Sequence, residues 1–476
     1  MVLSQLFTNG PYKLYKNRET MEKKDKLAVI LTTMAASFLT PFVLSAINIA
    51  MPDIAKELSL TPNDMTWLSI SFLLSSTALV IPMGKIADIY GRVRIFSAGF
   101  ILFSLFSLFC ALAADKNQLI FLRFLQGAAS SMIFSTAIAI ISSAFQKGER
   151  GKAIGFSAGA VYLGLTLGPF LGGVLTYNFT WRSIFYFSFL ISLAVIFLIK
   201  RNMKTEWKGP AQKVNYKLMF FYIFSMFLLV YSGTNVVKHA FLFPAALLLF
   251  SGYVLLELKA AKPFLDLKKL VSNRIFLFSN LSAFFHYSAT FSIFLLLSLY
   301  LQYSKGFSAQ TSGLVLFSMP FLMMLFSPVA GRLSDKSNAG TLTTFGILLT
   351  GAGLVPFAFI TPDFPVYLTI ISLAAVGAGS AFFSSPNTNQ VMSSLDPGSY
   401  SLGSGVLSTM RIMGQSLSMS VTNTVFYLCL PEKNLASGIN NFFKSFKIII
   451  IISLALLVVA VWASFKKTSG EEGGVL

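Results

Sequence analysis

Gly84-Lys85-Ile86-Ala87-Asp88-Ile89-Tyr90-Gly91-Arg92-Val93-Arg94 places three basic residues, one acid and two glycines between long apolar runs at 65–82 and 95–114. Each run is long enough to cross a bilayer, which takes about 20 residues at ~1.5 Å per residue. A connection this short joins antiparallel helices at a membrane surface. Its glycines permit a tight turn, and Asp88 is placed to meet an arginine or the positive N-terminal end of a neighbouring helix.

The rest of the chain agrees. Of 476 residues, 55% are hydrophobic and 12% charged, with a mean hydropathy of +0.72, too apolar for a soluble protein. The apolar runs are continuous rather than alternating, which excludes a β-barrel and leaves an all-α polytopic membrane protein. The net charge of +19 is spread over alternate loops instead of one amphipathic face, the pattern of membrane topology and not of nucleic-acid binding. Cys110 and Cys429 lie in apolar runs without a second ligand type nearby, so neither a disulfide framework nor a metal site is expected.

Fourteen apolar segments follow a polar tail at 1–26: 27–52, 65–84, 95–114, 118–146, 151–177, 182–200, 216–236, 239–258, 276–302, 309–330, 339–361, 364–386, 400–430 and 442–465. With the N-terminus inside, 27 Lys and Arg fall at cytoplasmic ends, eight in outer loops, and Arg123 and Arg411 within helices, accounting for all 37. The bias implies that both termini are cytoplasmic. A second copy of the opening pattern, Gly331-Arg332-Leu333-Ser334-Asp335-Lys336, follows another proline-containing helix end. Two related six-helix halves at 27–200 and 276–465 are therefore expected, with a two-helix insertion at 201–275 and a cytoplasmic tail at 466–476.

The first loop resembles the signature loop of the major facilitator superfamily of secondary transporters. Gly84, Asp88, Gly91 and Arg92 keep its core, whereas Ile89 and Val93 stand at positions that are often basic there. The resemblance implies the major facilitator fold, no cofactor, a monomer, and a substrate site between the halves. It also assigns Asp88 and the weaker Asp335 to latches on the cytoplasmic side.

Two further stretches carry the resemblance. Arg123-Phe124-Leu125-Gln126-Gly127 sits early in the fourth segment. By itself the arginine either snorkels to the surface or faces the protein interior; the matching family motif gives it a part in proton coupling. In the fifth segment, Gly164, Gly168 and Gly172 recur every four residues, so they share a face and admit close packing, with Pro169 as a kink. Together with Gly173 they resemble the antiporter motif of exporters. Asn48-Ile49-Ala50-Met51-Pro52, Trp181-Arg182-Ser183-Ile184-Phe185, Tyr300-Leu301-Gln302, Pro386-Asn387 and Arg411-Ile412-Met413-Gly414 narrow the resemblance to the fourteen-span drug:proton antiporters.

One departure stands out. Cation-exporting members often carry an aspartate where this chain has Val43, and none of its eighteen acidic residues falls in mid-helix. The apolar interior instead offers Arg411, His286, Tyr287, Asn48, Gln126, Tyr162, Asn387 and Asn389. Arg411 is either structural or substrate-facing. His286 is either an inter-helix hydrogen-bonding residue or, with Arg123, a proton-coupling group, since imidazole titrates near neutrality.

The expectation is a plasma-membrane exporter of amphiphilic small molecules, working by proton antiport and alternating access. Its cavity would hold Asn48, Gln126, Tyr162, His286, Tyr287, Asn387 and Arg411, favouring neutral or anionic cargo. The alternatives are an uncoupled carrier of lipids or organic anions and, from another class, a non-transporting sensor. With two histidines and no catalytic constellation, an enzyme is not expected.

Overall fold

The computed structural model describes residues 13–14, 23–145, 150–203, 205–208, 214–234, 241–261, 263–265, 267–395, 400–430 and 439–468. The first six long helices are α1 (Lys23–Leu58), α2 (Pro62–Tyr90), α3 (Arg92–Ala111), α4 (Lys116–Ala144), α5 (Arg150–Asn178) and α6 (Arg182–Asn202). Next come α7 (Tyr216–Thr234), α8 (Leu242–Lys259) and the short α9 (Leu267–Ser272). The second set is α10 (Arg274–Thr290), α11 (Ile293–Leu299), α12 (Ala309–Lys336), α13 (Ala339–Leu354), α14 (Val366–Ser393), α15 (Tyr400–Cys429) and α16 (Ile439–Thr468). A two-residue strand β1 (Lys13–Leu14) pairs in parallel with β2 (Thr205–Glu206).

Local chemistry sets the helix ends. Thr61 and Asp64 form a reciprocal capping box with Pro62 at the first turn of α2. Asp115 caps α4 through the N–H groups of Asn117 and Gln118. Between α2 and α3 only Gly91 intervenes, at φ +119°, a backbone conformation that disfavours a side chain.

Helices α1–α6 pack on one another, as do α10–α16, while α7 lies against α2 and α15 and α8 pairs with α7. This is two six-helix halves with two inserted helices. The halves meet through α5 with α12 and α2 with α15. Among the described residues, thirteen helical segments are long and apolar enough to span a membrane. The fourteenth, α15, has 30 residues but carries Arg411 and several serines; it packs on α2, α7 and α10, so protein contacts replace the lipid face that would demand apolarity.

The expected span at 276–302 is present as Arg274–Ser304, with a local interruption inside it. Helix α10 ends at Thr290, α11 begins at Ile293, and a π-helical turn runs over Tyr300–Ser304. The Ser418 hydroxyl of α15 takes the N–H of Ser292 at 3.0 Å, so a neighbouring helix satisfies a group that the break exposes.

The bundle has two ends, a loop end carrying Gly91 and a turn end carrying Ser59–Thr61.

Candidate functional site

At the loop end, Arg92 bonds the Asp88 carboxylate with Nε at 2.8 Å and Nη2 at 2.7 Å. Its Nη1 reaches the Ala139 carbonyl at 3.2 Å and the Ser143 hydroxyl, tying the loop to α4. Sequence reasoning missed the third member. Buried Glu206 accepts the N–H groups of Val93 (2.9 Å), Arg94 (3.2 Å) and Trp207 (3.1 Å), with Arg94 Nε 3.8 Å away. Its carboxylate thus covers the N-terminus of α3. Burial pushes the Glu206 carboxyl above its ordinary range, against the lowering effect of those N–H groups and of Arg94. A side chain at Gly91 would meet the Glu206 Oε atoms at 2.7 Å, which explains the glycine. The side chain of Asp335 lies outside the described residues; nearby, Asn389 donates to Ser334 at 3.1 Å.

The glycines of α5 serve two neighbours. Gly164, Gly168 and Gly172 face Phe38, Phe42, Ser45 and Ala46 of α1, where added carbons would collide with backbone or side-chain atoms. Gly173 faces α12 across the seam between the halves, 2.7 Å from the Ala309 carbonyl for an added carbon, and Gly313 of α12 rests on the Pro169 carbonyl. The shared-face expectation accounts for the first three; Gly173 points to the other half.

Arg123 is fully buried between α2, α3 and α4. Its Nη1 donates to Gln126 Oε1 at 2.6 Å, its Nε to the Leu68 carbonyl at 3.3 Å, and its guanidinium lies 4.5 Å from the centre of the Phe72 ring. Gln126 passes the network on to Ser107 at 2.8 Å. Among the described residues Arg123 has no carboxylate partner, and its Nη2 has no hydrogen-bond partner.

In mid-bundle the structure brings together Tyr162, Tyr287 and Arg411 and adds Ser384 of α14. Tyr162 of the first half donates to Ser384 Oγ at 2.9 Å, and Tyr287 lies 3.2 Å from the same oxygen. The Arg411 guanidinium sits 5.1 Å from the centre of the Tyr287 ring, and its buried Nε has no partner.

The other interior residues lie elsewhere. Gln126 belongs to the Arg123 network. Asn387 donates to the Ser279 carbonyl at 3.1 Å. Asn48 contributes its carbonyl to Ser298 at 2.7 Å across the seam, beside Gln302 bonded to the Ile49 carbonyl at 3.0 Å. His286 stacks on Phe383 at 4.0 Å, with Nε2 3.4 Å from Thr350, while the Tyr287 ring meets both rings edge-on at 5.5 Å and 6.3 Å and turns its hydroxyl to Ser384.

These features define a two-half helical membrane protein whose polar groups gather at the seam and in each half's interior. The family model described as Major Facilitator Superfamily matches residues 33–419, and the chain belongs to this superfamily of transporters, which are not enzymes. Over 406 residues it is 30% identical to the riboflavin transporter RibZ of Clostridioides difficile, covering 85% of this chain and 89% of that one. It is 25% identical to the multidrug resistance protein Stp of Mycobacterium tuberculosis, covering 84% and 76%, and 27% identical to multidrug resistance protein 3 of Bacillus subtilis, covering 79% and 75%. A crystal structure of a bacterial homologue of the human lysosomal transporter Spinster superposes with a TM-score of 0.67 at 17% identity, covering 94% of this chain and 99% of that one.

Proposed function

We propose that this transporter is a secondary active exporter of amphiphilic small molecules, residing as a monomer in the plasma membrane with both termini cytoplasmic. The observation that carries the reading is the division of polar contacts along the seam. Bonds joining the halves run from the turn end, at Asn48–Ser298 and Thr66–Asn423, to mid-bundle at Tyr162–Ser384. The Asp88–Arg92 pair stays within one half at the loop end. With the loop end cytoplasmic, this is the contact pattern of an inward-open state, and alternating access exchanges it for contacts at the other end.

Asp88 and Asp335 act as cytoplasmic latches that engage in the outward-open state. Gly164, Gly168, Pro169, Gly172 and Gly173 form the pivot and seal between the halves. Arg123 couples protons: a fully buried cation with an unpartnered Nη2 responds to any proton or charge arriving in the first half. His286, stacked on Phe383, is the second coupling candidate. Relatives named for multidrug resistance support export of varied compounds, and one named for riboflavin supports a flat aromatic cargo.

A second reading, an uncoupled carrier of organic anions or lipids, draws on the absence of a carboxylate partner for Arg411 among the described residues. The test is substrate-driven proton movement in proteoliposomes, with dodecyltrimethylammonium, riboflavin and dodecanoate as cargo, for wild type, Arg123→Ala and His286→Ala. Proton flux that follows cargo and is lost in Arg123→Ala or in His286→Ala supports antiport through that residue. Cargo movement without proton flux selects the uncoupled carrier.

A further inference from the structure

The mid-bundle cluster is unusual in containing donors and no carboxylate. Tyr162, Ser384 and Tyr287 have three hydroxyl hydrogens, and the two contacts through Ser384 Oγ use two of them. One donor is therefore left over within the trio. Ser327 of α12 lies beside the Tyr162 hydroxyl and brings its own hydrogen to that contact, so one donor still remains. Beside them the Arg411 Nε is buried without a partner, and the guanidinium is met by a ring face in place of a counter-ion. A cation held in a membrane interior without an acid is costly, and an anionic ligand offsets that cost most directly.

The cluster also spans the seam. Tyr162 comes from α5 of the first half; Ser384, Tyr287 and Arg411 come from α14, α10 and α15 of the second. Ser384 occupies the acceptor position that a ligand oxygen would need in order to receive the Tyr162 hydroxyl.

The geometry points to an anion-binding site formed by Arg411, Tyr162 and Tyr287, taking the carboxylate or comparable deprotonated head of an amphiphile, with Ser384 as the internal competitor that the ligand displaces. This rests on the transport reading for its purpose, but not for its chemistry. Binding then has a mechanical consequence: the head group takes over the Tyr162 hydroxyl and releases the Tyr162–Ser384 bond between the halves, so occupancy frees the seam at mid-bundle.

The test is equilibrium binding to the purified full-length protein in detergent, with radiolabelled dodecanoate, dodecanol and dodecyltrimethylammonium as probes. Wild type binds dodecanoate at least about tenfold more tightly than dodecyltrimethylammonium. Arg411→Gln removes that preference while keeping the cooperative melting transition in detergent that shows it to be folded; Arg411→Lys retains part of it. Ser384→Ala, which removes the competitor while keeping every ligand donor, tightens dodecanoate binding by about threefold to tenfold. The proposal is overturned if Arg411→Gln keeps the carboxylate preference, if the quaternary ammonium probe binds best, or if Ser384→Ala weakens dodecanoate binding. Should these affinities hold while liposomes show no cargo movement, the export reading fails alone. Should liposomes export cargo while Arg411→Gln keeps its preference, the site assignment fails alone.

Discussion

The Thr66 hydroxyl of α2 donates to the side-chain oxygen of Asn423 of α15, a buried bond between the two halves at the turn end. The Asn423 amide donates in turn to the Thr234 carbonyl of α7 at 3.0 Å, and Thr234 Oγ1 lies 2.8 Å from Ser420 Oγ. One asparagine therefore joins the first half, the second half and the inserted pair. Opening the turn end must break Thr66–Asn423, while the bonds of α7 to α15 can persist. Thr66→Val is expected to shift the population toward the turn-end-open state by about twofold to tenfold, the worth of one net hydrogen bond. Alkylation of a cysteine at buried Ser69, in a Cys429→Ser background, should accelerate by that factor.

Gly91→Ala should fail for two physical reasons at once. Its φ of +119° is strained for any side chain, and the added carbon meets the Glu206 carboxylate. A loss of about 2 kcal/mol or more is expected, read as a lower melting temperature in detergent. Adding Glu206→Ala to Gly91→Ala should recover only part of it, because the collision is relieved and the backbone strain remains.

Glu206 also predicts a pH dependence. Burial raises its folded-state pKa above the unfolded value of 4.5. The folded protein then binds this proton more tightly than the unfolded chain, so the contribution is stabilising at low pH. It is lost as pH rises from the unfolded value through the raised folded one, and is flat above that. Melting temperature against pH should show this fall in wild type and lose it in Glu206→Gln, whose side-chain oxygen still accepts an N–H of α3.

Arg123→Lys keeps the charge but not the fork that serves Leu68 and Gln126 together. Cargo-driven proton flux should drop by at least about tenfold, with a loss of about 1–3 kcal/mol of stability from the abandoned Gln126 oxygen. Gln126→Leu beside it separates the two effects: the packing is disturbed while the guanidinium stays. If Arg123→Lys transports protons like wild type, the bidentate geometry has no part in coupling.

The seam between α5 and α12 is set by contact distance. Gly313→Leu places a branched side chain against the Pro169 carbonyl and should force the helices apart, weakening the state closed at the turn end. The expected readout is faster alkylation of a cysteine at Ala309, with little change at sites within either half.

Much of this protein follows from local rules. Spans are legible because lipid demands long apolar runs and self-satisfied backbone, and α15 remained legible despite Arg411 because its length and neighbours fit. The Arg123–Gln126 pair and the common face of Gly164, Gly168 and Gly172 follow from helical spacing alone. Partners across the bundle do not. Glu206 caps a helix whose first residues lie more than a hundred positions earlier, and its strand has no periodic signal. His286 and Tyr287 are adjacent in sequence and both pack on Phe383, yet the imidazole turns to Thr350 and the phenol to Ser384 and Arg411. Successive residues on a helix point about 100° apart, so the polar ends of two neighbours reach different partners, and only the packing of all fourteen spans decides which. The same holds for the break at Ser292, which persists because Ser418 of another helix receives the freed N–H. Sequence determined which segments span and which faces pack closely; tertiary structure decided which polar groups meet, because that depends on helix rotation and neighbour choice rather than on any local pattern.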